Sequence, residues 1–311
     1  MNAPGKSCPQ KNISRLLIDG RQGMESLVAD NPLYKMQILY NGGKRISAKG
    51  VWPMIFAADI ENTVVHFGFY KNHTLIHSGM LSSGSSPKCA DEYAMMLALF
   101  CEQKKISVSE ITGAVLASVV PQLTEAIVAA VRAVFDCTPL IVAHGIKTGL
   151  SIRIDHHTQL GADIVANAVA AAGIFEKPFA VVDLKTATTI SIVNANGEFC
   201  GGIIAPGVRL SADALSKSTA ELPYISLDMP KSQIGKNTVD AMQIGCVLGA
   251  AAMVDGLLSH FQNLLGTNRL QMVATGYLAS KVLPLCTQDI ALAPNLTLDG
   301  LERLYNLNIG K

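Results

Sequence analysis

The chain has 311 residues, of which 49% are hydrophobic and 16% are charged, and its formal net charge is +1. This composition allows a sizeable buried core and excludes disorder as the default state of the whole chain. Lysine and arginine form no cluster along the sequence, so nucleic acid is not an expected partner.

The seven cysteines are scattered, and none forms a C-x-x-C pair. This spacing argues against a zinc site or a disulfide framework and predicts reduced thiols in a reducing compartment. The first ten residues are polar and include two prolines, unlike a secretory signal peptide. We therefore expect a cytoplasmic protein without a membrane partner.

Residues 1–53 are polar and irregular, with only short apolar pieces. We interpret them as an extension that is disordered or not native. The second possibility is that translation begins at Met54, because Lys49, Gly50 and Val51 can be encoded by a purine-rich stretch like a bacterial ribosome-binding site. The mass of the native N-terminus would separate these two hypotheses.

A regular pattern begins at Met54. Apolar runs separated by turn residues predict strands, and apolar residues at helical spacing predict helices. In chain order, the first half has predicted strands at 54–58, 63–70 and 74–78, a helix at 90–103, a strand at 114–119, a helix at 123–135 and a strand at 140–143.

The second half repeats this order after a helix at 161–175. It has predicted strands at 180–184, 189–194 and 197–204, helices at 208–215 and 238–265, a strand at 271–275 and a helix at 297–307. The apolar stretch 244–258 is too short to span a bilayer, and Asp255 and small residues interrupt it. We interpret it as a buried helix. The repeat predicts two α/β lobes with mixed sheets, at residues 54–160 and 161–311.

Each half carries an acidic residue where its first strand ends. These residues are Asp59, in D-I-E-N-T, and Asp183, in D-L-K-T-A-T-T. Paired acidic turns are typical of the sugar-kinase, heat-shock-chaperone and actin (ribonuclease H-like) fold, in which two similar lobes face each other across a central cleft. Carboxylates there hold a cation or its waters, while turn hydroxyl and N–H groups bind phosphate. Either turn alone is an ordinary hairpin feature.

From Asp59 to Leu307 the sequence resembles the type III pantothenate kinases. The resemblance rests on several ordered motifs along nearly the whole segment. They occupy residues 59–63, 147–150, 161–163, 167–171, 186–189, 201–207, 219–223 and 234–238.

The resemblance implies an ATP-dependent phosphorylation of pantothenate to 4'-phosphopantothenate in coenzyme A biosynthesis. Asp163 matches the general base that takes the proton of the pantothenate hydroxyl. By itself, Asp163 would be read as a first-turn helix acid. The implied substrate-binding residues are Gly161, Ala162, Asp163, Ile164 and Thr219.

The resemblance also implies the remaining ligands. Asp59, Asn62 and Thr63 match the first phosphate-binding turn, and Thr186 matches a nucleotide contact. Asp183 matches the ligand of a monovalent cation, K+ or NH4+. The implied cofactor is ATP with Mg2+, and the implied assembly is a homodimer.

Four residues depart from the family pattern. Glu61, Lys185 and Tyr277 stand where the family has glycine, which lets a backbone approach phosphate or adenosine closely. Glu61 would repel a polyphosphate by on the order of 1 kcal/mol in a well-solvated setting. Tyr277 would fill space for adenosine, and Ile164 replaces an arginine that can hold charge. These departures favour the alternative of a non-catalytic homologue that binds a metabolite or protein partner.

Glu61 and Lys185 have opposite charges and lie on turns that should face each other. We predict that they form an ion pair across the phosphate site. Two alternatives are independent drift of the two positions and a contact of Lys185 with phosphate that partly restores ATP binding.

Overall fold

The structure is a computed structural model that describes residues 54–83, 88–229 and 232–309. The predicted extension at residues 1–53 lies outside the described residues. The predicted strands and helices from Met54 onward are present, with boundaries that differ by a few residues.

The first sheet has five strands in the order β3-β2-β1-β4-β5. Strands β1 to β3 form an antiparallel meander, whereas β1, β4 and β5 are parallel. Every residue of β1 is buried, as its continuous apolar run requires. The bounds are β1 Met54–Ile60, β2 Val64–Lys71, β3 Thr74–Ser82, β4 Ile111–Ser118 and β5 Leu140–Ile141.

The second sheet repeats that topology and adds one strand. Its order is β11-β10-β7-β8-β9-β6, with an antiparallel meander β7-β8-β9 and parallel strands β7, β10 and β11. The bounds are β6 Ser151–Ile152, β7 Phe179–Leu184, β8 Ala187–Val193, β9 Glu198–Pro206, β10 Gln271–Thr275 and β11 Ala291–Leu292. Strands β7 to β11 therefore correspond to β1 to β5, which confirms the predicted internal repeat.

Helices cover the faces of both sheets and complete three apolar clusters. Helices α1 and α2 pack on the first sheet, while α4 and the α5–α6 segment pack on the second. The bounds are α1 Ala90–Lys104, α2 Pro121–Phe135, α3 Ala162–Ala172, α4 Val208–Ser218, α5 Thr238–Gln243, α6 Gly249–Leu264, α7 Ala279–Val282 and α8 Leu296–Asn308.

Two segments cross the predicted lobe boundary at residue 160. Strand β6 lies before it in the chain but joins the second sheet. Helix α8 comes last in the chain but packs on α3 and the first sheet through Leu298, Leu301 and Leu304. The boundary itself stays a prediction. Because of this crossing, α3 and α8 bring residues of the second half close to the end of β1.

The segment Thr238–Leu264 is one long helix with a π turn at Ile244–Leu248. By length and composition it is long and apolar enough to cross a bilayer, a test that core helices also pass. Val254 and Leu258 pack in the core, whereas Gly245, Gly249 and Gly256 are exposed. The segment is thus buried along one face and exposed along the other.

Candidate functional site

The two acidic residues occupy equivalent positions in the repeat. Asp59 is the penultimate residue of β1, and Asp183 is the penultimate residue of β7. Both strands are central in their sheets, and both carboxylates are almost fully buried. Glu61 and Lys185 follow two residues later at matching places, also buried. The fold therefore brings four ionisable side chains from the two halves together.

Lys185 is the centre of this group. Its Nζ lies 2.7 Å from Asp59 Oδ2, 3.1 Å from Glu61 Oε1 and 3.2 Å from Asp183 Oδ2. The predicted contact between Glu61 and Lys185 is confirmed. The structure adds that the two aspartates share the same ammonium group, with Asp59 closest.

Two polar side chains close a ring around this group. Lys185 Nζ donates to Thr297 Oγ1 at 3.3 Å, and Thr297 Oγ1 donates to Asn167 Oδ1 at 2.8 Å. Asn167 Nδ2 then donates to Asp183 Oδ2 at 2.9 Å. No sequence motif predicted such a role for Thr297 or Asn167. The sequence feature that could have indicated this role is Asn167 itself, because it is a polar residue in a helix of small apolar residues.

Burial and charge shift the pKa values of this group in a consistent way. Burial lowers the pKa of Lys185, but Asp183, Asp59 and Glu61 outweigh it and hold the pKa well above its ordinary value. Burial raises the pKa of Glu61 to about 8, although Lys185 opposes the change. At neutral pH, Lys185 is therefore charged and the Glu61 carboxyl is largely protonated.

Asp163 lies in the first turn of α3, next to this group. Burial, followed by the charge of Asp59, raises its pKa to about 6. Gly161 leaves room for its carboxylate, because a Cβ at Gly161 would lie 2.5 Å from Asp163 Oδ1. A carboxylate with this pKa and position can accept a proton near neutral pH.

A chain of hydroxyl groups links the turn after β1 to the turn after β7. Thr63 Oγ1 lies 3.1 Å from Thr186 Oγ1, and Thr186 Oγ1 lies 3.2 Å from the hydroxyl of Tyr277. Asn62 is exposed beside this chain. Of the predicted nucleotide-binding residues, Thr63 and Thr186 thus hydrogen-bond with each other, and Thr186 also hydrogen-bonds with Tyr277.

One oxygen of Asp183 stands apart from the ring. Its Oδ1 is buried and has no hydrogen-bond partner among the described residues. It faces Gly276, where a Cβ would lie 2.8 Å from Oδ1 and 2.4 Å from Leu184 O. With φ +97°, Gly276 also has a backbone conformation that favours glycine. Gly276 therefore keeps space beside this oxygen.

One cavity borders the group, and a second lies at the start of α3. The larger, about 630 Å³, lies at the start of α3 and is lined by Gly161, Ala162, Ser118, His144 and Thr148 among others. The smaller, about 260 Å³, includes Glu61, Lys185, Gly276 and Tyr277 in its lining. The larger volume falls in the range of small-molecule sites.

Two predicted substrate residues, Thr219 and Ile164, lie apart from the group of Asp59, Glu61, Asp183 and Lys185, which is called the ion cluster below. Thr219 lies at the end of α4, where its Oγ1 donates to Leu215 O and accepts from Leu222 N. Ile164 is half-buried in α3. In the described part of the chain, no hydrogen bond or ion pair links Thr219 to Lys185 or its partners.

A divalent metal does not fit this arrangement. Three carboxylates that could ligate it already contact the Lys185 ammonium. Among residues 54–83, 88–229 and 232–309, no three His, Cys, Asp or Glu side chains are set to hold a metal ion. The free Asp183 Oδ1 is a single donor suited to a monovalent cation.

Comparisons with known proteins agree with this architecture. A family model described as type III pantothenate kinase matches residues 55–260. A type III pantothenate kinase of Halalkalibacterium halodurans is 36% identical over 257 residues, covering 82% of this chain and 100% of that protein. That of Moorella thermoacetica is 37% identical over 255 residues, with coverage of 82% and 100%.

A solved structure supports the fold. Ethanolamine utilization protein EutJ from Carboxydothermus hydrogenoformans aligns with a TM-score of 0.50 at 13% identity, over 87% of this chain and 98% of that one. The repeated sheets confirm the predicted two-lobed fold of the sugar-kinase, chaperone and actin type. With the family model and relatives that align over their whole length, the predicted resemblance is confirmed, and the chain belongs to the type III pantothenate kinase family.

Proposed function

We propose that this chain is a non-catalytic member of its family, which binds a pantothenate-like metabolite without transferring phosphate from ATP. The observation that carries the proposal is the Lys185 ammonium between Asp59, Glu61 and Asp183. Kinases in general use ATP with a divalent metal, which neutralises the charge that develops on phosphate. Here the carboxylates that could hold such a metal instead form ion pairs with the Lys185 ammonium.

The surroundings of Lys185 add to this argument. Its four acceptors exceed its three N–H donors, so it has no free proton to offer a phosphate. Breaking these contacts to bind ATP would leave buried carboxylates without a partner charge, which is costly. Lys185 is therefore better suited to holding the two halves together than to contacting nucleotide.

A separate cavity at the start of α3 could take the metabolite. Gly161 and Ala162 line the cavity of about 630 Å³, at the N-terminal end of α3. His144, Thr148 and Gln159 supply polar groups along its wall. A small polar molecule can therefore bind there without disturbing the ion cluster, and pantothenate is the molecule that the family suggests.

Calorimetry with pantothenate and with a non-hydrolysable ATP analogue plus Mg2+ tests the proposal. We expect the wild type to bind pantothenate and to show no nucleotide binding. The double variant Glu61→Gly/Lys185→Gly should gain nucleotide affinity by at least about tenfold, because it removes both side chains from the phosphate turns. The matched control is Lys71→Gly/Glu110→Gly, which removes an ion pair of 2.7 Å elsewhere whose side chains are about one-third exposed.

The second candidate is an active pantothenate kinase, and Asp163 favours it. Its carboxylate is retained, lies beside Asp59 and Lys185, and has a pKa of about 6. In this candidate Asp163 is the base, Thr186 contacts nucleotide, Thr219 contacts substrate and Asp183 Oδ1 takes a monovalent cation. Phosphorylation of pantothenate by the wild type at ordinary kinase rates would overturn the non-catalytic proposal and establish this one.

We further propose that the chain works in the cytoplasm as a homodimer. The exposed face of the long helix supports this assembly, since nothing lies within 4 Å of a Cβ built at Gly245, Gly249 or Gly256. Such a smooth face lets a second helix approach closely. Light scattering should give twice the chain mass of 33.0 kDa, and a monomer at micromolar concentration would refute the dimer.

A further inference from the structure

We propose that the cavity at the start of α3 takes an uncharged hydroxy-amide in preference to pantothenate itself. Such a ligand shares the hydroxyl and amide groups of pantothenate, but its carboxylate is replaced or already joined in an amide bond. This inference rests on the proposed function for the place of the metabolite, and it adds the chemical class that this place selects.

The wall of this cavity offers hydrogen bonds but no opposite charge for a carboxylate. Among the described residues that line it, there is no lysine, arginine, aspartate or glutamate. Its polar side chains carry hydroxyl, amide and imidazole groups, and they belong to Ser118, His144, Thr148, His157, Thr158 and Gln159. Hydroxyl and amide groups both donate and accept hydrogen bonds, so they suit the same groups on a ligand.

Two cations lie close to these residues in the sequence, but neither lines the cavity. Arg153 Nε lies 3.1 Å from Glu198 Oε1, so its charge already has a partner on β9. Asn308 holds the backbone of Lys147, because its Oδ1 accepts from Lys147 N at 2.9 Å and its Nδ2 donates to Lys147 O at 3.0 Å. Lys147 is exposed, and its ammonium is the rival source of a counter-charge that a variant tests below.

The charge beside the inner end of the cavity is negative. A Cβ built at Gly161, which lines the cavity, would lie 2.5 Å from Asp163 Oδ1. Burial, followed by the charge of Asp59, raises the pKa of Asp163 to about 6, so this carboxyl is ionised at about pH 8. The N-terminal end of α3 attracts anions, but Asp163 in its first turn already offsets that partial charge. A ligand carboxylate at this end would therefore be repelled.

The rest of the wall is apolar and gives a carboxylate no compensation. Its side chains include Val142, Ile146, Leu150, Ile152 and Val165. An ionised group that moves from water to such surroundings loses solvation and gains no ion pair in return. A hydroxyl group loses much less, because it can hydrogen-bond to the polar side chains of the wall.

Calorimetry at about pH 8 with two matched ligands tests this preference. Panthenol has the hydroxyl and amide groups of pantothenate, and a hydroxymethyl group takes the place of the carboxylate. The pH lies above the ordinary titration range of histidine. The wild type should bind panthenol at least about tenfold more tightly than pantothenate.

Two variants of Gln159 separate the effect of charge from that of shape. Gln159 is exposed on the wall of the cavity, where a charged side chain of similar length fits. Gln159→Lys should shift the ratio of the two affinities towards pantothenate by at least about tenfold, and Gln159→Glu should shift it further towards panthenol. The control Lys147→Met lies outside the wall and should leave the ratio of the wild type unchanged.

Equal or tighter binding of pantothenate by the wild type would overturn this inference and leave the proposed function intact. A shift in the same direction for both Gln159 variants, or a tenfold shift for Lys147→Met, would also overturn it. Binding of neither ligand would overturn it together with the proposed metabolite site. Phosphate transfer from ATP to pantothenate would refute only the non-catalytic function.

Discussion

Replacing Lys185 by methionine is expected to lower the free energy of unfolding by about 3–5 kcal/mol at neutral pH. The substitution keeps the shape of the side chain but leaves the buried carboxylates of Asp59 and Asp183 without their partner charge. Removing one member of a buried ion pair is costly because the remaining charge cannot be solvated. Urea denaturation of wild type and variant measures the difference.

The matched control is Lys71→Met. Lys71 forms an ion pair of the same length, 2.7 Å, with Glu110, but both side chains are about one-third exposed. We expect this variant to lose only about 0–1 kcal/mol, because water solvates the charge that remains. If the two variants lose similar amounts of stability, Lys185 is not the buried partner that the structure describes.

The second large effect is the contribution of Glu61 to the pH dependence of the free energy of unfolding. Its pKa rises from 4.5 to about 8 on folding, mainly through burial. Below about pH 4.5 the carboxyl is protonated in both states, so it has no effect on stability. As pH rises towards 8, the unfolded state loses the proton and the folded state retains it, so this group lowers the stability of the fold.

Glu61→Gln keeps the shape of the side chain and cannot titrate. Relative to this variant, the wild type should lose on the order of 2–4 kcal/mol of unfolding free energy between about pH 4.5 and pH 8. Asp163, with a pKa of about 6, titrates in both proteins and cancels in the difference. Urea denaturation of both proteins between about pH 4.5 and pH 8 measures this difference in unfolding free energy. A difference that is constant with pH, or one that grows as pH falls, would contradict the expectation.

The first prediction bears on the proposed function. A cluster whose disruption costs several kcal/mol will not open readily for ATP. The double variant Glu61→Gly/Lys185→Gly should combine a gain in nucleotide affinity with a loss of stability, because Asp59 and Asp183 remain buried without their partner charge.

The sequence by itself determined most of the fold. Apolar periodicity and turn residues are local signals, and they placed the repeated strands and helices from Met54 to Asn308. The motifs from Asp59 onward identified the family, and the opposite charges at equivalent turns predicted the contact of Glu61 with Lys185. These inferences succeeded because each rests on residues close together in the chain or on an ordered series of motifs.

Only the tertiary structure decided how the site is built. Thr297 and Asn167 reach Lys185 and Asp183 because α8 and α3 pack together, and these pairs are separated by 112 and 16 residues in the sequence. No local pattern fixes which side chains meet over such separations, since packing of distant helices sets the distances. Packing likewise made Asp59 the closest partner of Lys185, left one oxygen of Asp183 without a donor and exposed one face of the long helix.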